Sequence, residues 1–418
     1  MSGLKSILLT GCFIAAAWFG PMLAVSAAAE GAGSLPKVYC ADPRALASAK
    51  ARLAAGDASL RPALDRLRAD ADNALKLTPP SVMDKKRVPP SGDKHDYVSQ
   101  APYFWADSNA PGHYIRRDGE RNPEAAADTD AGRLGRVCTD AHTLALAYYF
   151  TGDEKYAAKA GEILRVWFLN PATRMNPNLN FGQGIPGEVE GRAAGLIGAR
   201  GLVGLMDALG LLSTSKSWTM ADKQAMTAWV EQYYHWLTTS KIGLGESAAT
   251  NNHGTWYDTQ VAALALYLGK TDAAREHLLK DRENRIGKQI EPDGREPREL
   301  QRTLSFNYSL FNLRALIDLA SIGKNAGVDL WHYQTADGRS ILKVLEFMAP
   351  YADPAKEWPY QQIRRPDRSG LGEVLLRASV VYPEANLTGY LKFFRAEELA
   401  AGPARLQFAT APIGKAQP

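Results

Sequence analysis

The chain has 418 residues, 45% of them apolar and 22% charged, with only three cysteines. Its formal net charge of +4 is spread along the sequence without a basic tail, which argues against nucleic acid as the main partner and suits a polyanion instead. Length alone permits two or three domains, yet no Gly/Ser-rich or charged linker divides the sequence beyond its first thirty residues.

The chain opens with Lys5, an apolar run from Ile7 to Val25 and the small residues Ser26-Ala27-Ala28-Ala29. A charged start, an apolar middle and a small-residue end describe a secretory signal peptide over residues 1–29. The alternative, a membrane anchor, is disfavoured by Gly20-Pro21 and the lack of a charged stop-transfer flank. Leu9-Thr10-Gly11-Cys12 looks like a lipoprotein cleavage box, but too little apolar sequence precedes it. No later stretch reads as long and apolar enough to span a bilayer, so residues 30–418 are expected to form one soluble domain, periplasmic or secreted. In that compartment Cys40 and Cys138 could form at most one disulfide, and a catalytic thiol or four-Cys zinc site is hard to build.

Apolar residues then recur at helical spacing. Leu60, Leu64, Leu67, Ala71 and Leu75 form one stripe, and Leu134, Val137, Ala141, Leu144 and Tyr148 form another. The second helix should stop at Gly152, with Asp153 capping a third whose stripe is Tyr156, Ala160, Ile163, Leu164 and Trp167. Further helices are expected at about 188–212, 220–240, 255–284, 299–325, 338–349 and 371–400. Short-linked helices prefer to lie antiparallel, and alternating strand patterns are almost absent, so the expected fold is all-α: a curved ring of helical hairpins, an α/α toroid. Two long segments, 79–124 and 170–186, are rich in Pro, Gly, Asn and aromatics, the composition of functional loops.

Those loops carry flat rings and planar hydrogen-bonding groups suited to sugar: His95, Tyr97, Gln100, Tyr103 and Trp105 in the first, Asn180 and Gln183 in the second. Such a cluster can equally be loop core. Trp358-Pro359-Tyr360-Gln361 is a similar candidate. A denser constellation is Thr250-Asn251-Asn252-His253-Gly254-Thr255-Trp256-Tyr257, followed by Arg302 and Tyr308. Two amides, an imidazole, a guanidinium and a phenol are the groups needed to take an acidic proton from a sugar acid. Each has a plainer reading. Asn251 and Asn252 can cap the helix that follows, Tyr308 can pack beside Phe306 and Phe311, and Arg302 can pair with Glu296 or Glu299. His142 reads as structural, and Glu190 with Arg192 as a buried polar link between helices.

The segments Asn178-Leu179-Asn180-Phe181-Gly182-Gln183-Gly184-Ile185-Pro186-Gly187, Glu190-Gly191-Arg192, Asn251 to Trp256, and Glu291-Pro292-Asp293-Gly294-Arg295 running to Arg302 and Tyr308 resemble the alginate lyase family of polysaccharide lyases. The similarity covers roughly residues 50–390. It implies an incomplete helical toroid, a periplasmic or secreted location, and β-elimination on 1,4-linked uronic acid polymers with no required metal or other cofactor. The family's Asn-His pair resembles Asn252-His253, its arginine Arg302 and its catalytic tyrosine Tyr308. Where mannuronan-acting members tend to carry Ser-Tyr-Trp after the histidine, this chain has Gly254-Thr255-Trp256-Tyr257, which keeps glucuronan-acting relatives open.

The chemistry gives these residue types a reason to stand together. A uronate C5 proton is weakly acidic because the adjacent carboxylate is charged, so the carboxylate must be neutralised and the enolate-like state stabilised. Asn251, Asn252 and Arg302 can donate to it, while the resemblance implies that His253 or deprotonated Tyr308 takes the proton and Tyr308 protonates the leaving O4. In mannuronate the two reacting positions lie on one face of the ring, so a single tyrosine can serve both. Two other readings fit a helical toroid. A glycoside hydrolase would need paired carboxylates, for which Asp96, Asp140, Glu188 and Asp258 are candidates without a pairing the sequence can vouch for. A non-catalytic polysaccharide-binding part of an export complex would not need His253 and Tyr308.

Overall fold

The computed structural model describes residues 34–413. The signal-peptide and lipoprotein readings fall outside them. The described chain is mostly helical, and several helix boundaries have a local cause. Helix α1 (Pro43–Ala54) starts where the Asp42 side chain accepts from the Arg44 and Ala45 amides, and α2 (Arg61–Leu75) follows it. Helix α3 (Asp130–Thr151) ends at Gly152, and Asp153 caps α4 (Glu154–Leu164) by accepting from the Lys155 amide. Helix α5 (Leu202–Leu211) precedes α6 (Met220–Thr239), whose start is a reciprocal Thr219–Asp222 capping box. Helices α7 (Lys241–Ser247), α8 (Asn252–Tyr267), α9 (Thr271–Asp281), α10 (Pro297–Leu300) and α11 (Ser305–Ala326) then bring in the candidate residues, and α12 (Ile341–Met348) and α13 (Ser369–Val381) follow.

The expected stripes face the interior: Leu134, Val137, Ala141 and Leu144 of α3 meet Tyr156, Ala160, Ile163 and Leu164 of α4 in one continuous core. Helix α3 packs on α2, α4 and α5, α8 on α5, α9 and α11, and α11 on α12 and α13. Almost every residue of α8 is buried, so it has no polar face and its polar side chains must be satisfied inside the protein. Thr255 donates to Gln289 at 3.1 Å, Gln260 donates to the Trp256 carbonyl, and Asp258 accepts from Arg285.

Four expectations need correction. The helix expected over 255–284 is two, because Gly269, at φ 73°, turns the chain between α8 and α9. The helix expected over 371–400 stops before Pro383, which cannot continue it. Within 188–212, a 3-10 turn over Ala193–Ala199 precedes α5. Finally, the helical stretch Ala193–Thr214 is long and apolar enough to cross a membrane, but 72% of its apolar window is buried inside the protein, as a core segment would be. Cys40 and Cys138 are free, buried thiols, and burial pushes Cys138 up to about 12.

The two long loops are tied together by short strands. Strand β1 (Val98–Gln100) pairs in parallel with β4 (Phe181–Gly184), and β2 (Phe104–Ala106) pairs antiparallel with β3 (Tyr114–Arg116). They form a wall against the helix starts that carry His253 and Tyr308.

Candidate active site

The turn between α7 and α8 delivers three polar residues at one helix start. Asn251 is the N-cap, its Oδ1 accepting from the His253 amide at 3.2 Å, so the capping reading of this residue holds while its side-chain nitrogen remains available. Asn252 is buried and held twice by Glu299, which accepts from its amide at 2.7 Å and from its Nδ2 at 2.8 Å. His253 is fixed by Glu246, whose Oε1 lies 2.6 Å from Nδ1. A carboxylate on Nδ1 orients the ring and, in the neutral imidazole, favours the tautomer with the proton on Nδ1 and the lone pair on Nε2.

Arg302 and Tyr308 arrive from the start of α11. The Arg302 guanidinium donates through Nε and Nη2 to Asp118, the closest contact being 2.6 Å. Its partner is therefore Asp118, 184 residues away in the first long loop, and not the nearby Glu296 or Glu299. Burial alone would push Asp118 up, but the Arg302 hydrogen bond, the Thr303 amide and the two neighbouring guanidinium charges hold it at about 2. The Arg302 guanidinium also lies over the Tyr308 ring, 3.6 Å from its centroid. The Tyr308 hydroxyl donates to the Tyr103 hydroxyl at 2.6 Å. Burial first, and then Tyr103, raise the Tyr308 phenol well above the usual tyrosine value, with Arg302 only partly opposing them.

Asn251, Asn252, His253, Arg302, Tyr308, Tyr103 and Gln183 line one cleft of about 620 Å³. Five arginines face it, Arg116, Arg121, Arg192, Arg200 and Arg302, against one acidic lining residue, Asp367. Arg192 donates to the Gln183 carbonyl and to its Oε1 at 2.8 Å, while Glu190 is exposed, so the expected link between Glu190 and Arg192 does not form.

The remaining expected sugar-binding residues are placed elsewhere. His95 bonds the Arg174 carbonyl at 2.6 Å, and Gln100 is buried and accepts from Arg87. Trp105 donates to the Glu120 carbonyl, and Asn180 accepts from Trp236. Trp256 is buried against Phe311, at 5.2 Å between ring centroids. None of the five lines this cleft. His142 is enclosed, and burial depresses it to about 4.

The carboxylates considered for hydrolysis are also committed. Asp96 accepts from Ser91 and Asn176, Glu188 accepts from the Tyr114 amide, and Asp140 faces Arg136. Asp258 lies within α8, buried, where it, His277 and Asp281 bring ligand-type atoms within 4.8 Å of one another. That cluster already contains a cation, Arg285, which binds Asp258 and donates to the Ser247 and Ala249 carbonyls at 2.8 and 2.7 Å.

Glu246, Glu299 and Asp118 were not assigned these roles from the sequence. Glu246 stands seven residues before His253 and Glu299 three before Arg302, spacings that a search for carboxylates beside the constellation would find. Asp118 has no local signal.

The alginate lyase family profile matches residues 81–358, which contain every residue of this cleft except Asp367. The crystal structure of an alginate lyase from Bacteroides ovatus is 42% identical, covers 90% of this chain and 100% of its own, and superposes with a TM-score of 0.85. Alginate lyase A1-III from Sphingomonas species A1 is 16% identical over 82% of this chain and 94% of its own, with a TM-score of 0.52, a likeness of fold. A histidine-to-alanine variant of A1-III complexed with a tetrasaccharide is likewise 16% identical, over 91% of this chain and 98% of its own, with a TM-score of 0.55. No curated protein is similar enough to count as a match. With the family profile spanning most of the chain and a close structural relative along nearly all of it, the chain belongs to the alginate lyase family and is a polysaccharide lyase.

Proposed function

We propose that this lyase cleaves a 1,4-linked polyuronate, mannuronan (alginate) or glucuronan, by β-elimination, with His253 as base and Tyr308 as acid. The observation that carries the reading is the convergence of Asn251, Asn252, His253, Arg302 and Tyr308, from two helix starts, on one cation-rich cleft. The tetrasaccharide held by variants of A1-III supports an oligosaccharide-sized ligand for the shared fold. The helices, taken in sequence as neighbouring layers, fit an incomplete α/α toroid, and the N-terminal sequence fits export to the periplasm or medium.

In this mechanism Arg302 and the side-chain nitrogens of Asn251 and Asn252 bind the uronate carboxylate; an amide nitrogen has two hydrogens, so Asn252 can serve Glu299 and substrate together. His253 Nε2 takes the C5 proton. The C5–H electron pair forms the C4=C5 double bond, the C4–O4 bond breaks, and O4 takes the proton of Tyr308. The resulting phenolate lies under the Arg302 guanidinium, which stabilises it, and Tyr103 can relay a proton back from solvent. The raised phenol supports this division of labour, because it keeps Tyr308 protonated at rest and so without the phenolate a tyrosine base would need. Glucuronate has the same configuration as mannuronate at C4 and C5, so both polymers present the same reacting geometry. A two-carboxylate hydrolase finds no pair among the described residues of this cleft, where Asp367 is the single acidic group.

The test is to incubate purified protein with mannuronan, glucuronan, guluronan and polygalacturonate while following the ultraviolet absorbance of the unsaturated uronate. We expect product from mannuronan or glucuronan, unchanged by chelator. New reducing ends without absorbance would establish hydrolysis instead.

A further inference from the structure

The catalytic cleft does not end at Tyr308. A second cavity of about 600 Å³ continues from it, sharing Pro102, Arg121, Gln183, Ile197 and Arg200, and runs between β1 and the first turns of α3. Along that wall Gly132 and Gly135 leave open space where other residues would carry side chains.

The two arginines at the junction differ from the other three in the cleft. Arg302 and Arg116 both reach Asp118, at 2.6 and 2.7 Å, and Arg192 is engaged by Gln183. Among the described residues, Arg121 and Arg200 have no carboxylate within ion-pair distance. Arg200 donates only to the carbonyl of Ile197, at 3.0 Å, and lies over the Phe311 ring at 5.6 Å. Arg121 lies over the Tyr103 ring at 5.9 Å. Both side chains are open to solvent at their surfaces, yet Arg200 is surrounded closely enough that burial, followed by the charges of Arg314 and Arg121, lowers its pKa. Two like charges held together in a concave site without a counterion favour an anion there. A polyuronate carries a carboxylate on every sugar, so a chain with one residue in the catalytic cleft must place its neighbour's charge nearby. Aromatic faces on Tyr103 and Phe311 flank the same junction.

We propose that Arg121 and Arg200 form a second carboxylate-binding subsite, which takes the uronate adjacent to the one undergoing elimination and draws the polymer into the cavity beside β1 and α3. The proposal rests on the polyuronate reading above and deepens it: the enzyme recognises at least two consecutive acidic sugars. Arg121 and Arg200 bind and position; they do not touch the reacting atoms.

The experiment separates the two readings. Wild-type enzyme is first assayed for unsaturated product. A saturated oligouronate of whichever polymer is cleaved faster is then titrated by calorimetry into His253→Ala protein, which keeps the ligand intact, with and without Arg200→Gln or Arg121→Gln. The same oligosaccharide with its carboxylates reduced to alcohols is the control. Each arginine change should weaken binding of the acid about tenfold or more, the scale of one charged hydrogen bond. It should make the salt dependence shallower and leave the weak binding of the reduced sugar unchanged. In the active enzyme it should raise KM far more than it lowers kcat, and Arg200→Lys should recover part of the loss. Equal losses on acid and reduced sugar, or acid binding indifferent to both changes, would overturn the subsite while leaving a demonstrated lyase in place. Absence of unsaturated product from every polyuronate would overturn the lyase reading and the subsite with it.

Discussion

Glu246 and His253 form the shortest polar link in the catalytic turn, at 2.6 Å, and make the imidazole a directed base. On this account His253→Ala and Tyr308→Phe each lower kcat by about 10² to 10⁴, the usual cost of losing a general base or acid, with circular dichroism unchanged. Near-normal turnover in both variants would dismiss them as catalytic groups. The raised Tyr308 phenol gives the pH profile a sign. Its ordinary value is 10.0 and its folded value is higher, so the acid form persists through mildly alkaline pH and kcat should not fall as pH approaches 10. Were Tyr308 the base, only the phenolate would work and kcat would climb tenfold per pH unit over the same range. Arg302 calls for a different comparison. Arg302→Ala should be less harmful on methyl-esterified polymer than on the free acid, by about 1 to 3 kcal/mol of barrier, because the ester needs less charge compensation. The structure adds that the truncation also strands Asp118, so Arg302→Ala with Asp118→Asn is the cleaner background; equal losses on both substrates there would remove Arg302 from the carboxylate.

The unit that positions the base is the α7–turn–α8 segment, and its brace is Arg285. The guanidinium donates to the Ser247 and Ala249 carbonyls and is itself held by Asp258 from the middle of α8. Gly254 makes room for it: a Cβ there would fall 2.2 Å from the Ala249 carbonyl oxygen and 2.4 Å from Arg285 Nη1. The departure from a Ser-Tyr-Trp run thus has a packing reason, whatever it does for substrate choice. Gly254→Ala should displace Glu246 and His253 relative to each other and lower kcat about 10²-fold, as ångström-scale misplacement does. Full activity in that variant would show that the turn tolerates the shift. This segment also marks what the sequence could and could not tell. Helical periodicity located α3, α4 and α6 closely, because their stripes, caps and closing residues are local. It merged α8 with α9, since a helix buried all round has no polar face whose interruption would register. The Asn-His, Arg and Tyr positions were legible through their residue types and the family's spacing. Their supports were not: the Asp118 contact with Arg302 spans 184 residues, and no local pattern encodes a contact at that distance. Two of the misassigned sugar ligands have a common cause as well. Trp105 and Asn180 have the composition of a binding loop, but Trp105 Nε1 and Asn180 Oδ1 are spent holding the loops to their neighbours, whereas Gln100 gives its Oε1 to Arg87 and lines the cavity next to the cleft.

Across the molecule, the Tyr39–Ala41 segment is pinned to the core from two sides, its carbonyls by Asn325 and its amides by one carboxylate. Asp207 of α5 accepts from the Tyr39, Cys40 and Ala41 amides at 2.5, 2.9 and 2.8 Å. Asp207→Ala leaves these donors without their acceptor and should cost about 2 to 4 kcal/mol, read as a lower denaturant midpoint with little effect on KM; an unchanged midpoint would mean that water replaces the carboxylate freely. The catalytic side of the molecule is joined in a comparable way. Asp118 receives the Arg302 guanidinium, the Thr303 amide and the Thr303 hydroxyl, and Gly119 follows it because a Cβ there would lie 2.5 Å from Thr303 Oγ1. Wall and helix are riveted beside the reacting groups, here and at the Tyr103–Tyr308 hydrogen bond. Loop exchange between related lyases, the obvious route to a new specificity, therefore cannot treat this loop as an independent cassette. A graft that brings new sugar contacts without a carboxylate followed by glycine at this position would leave Arg302 unanchored, and the chimera would bind its new polymer without cutting it.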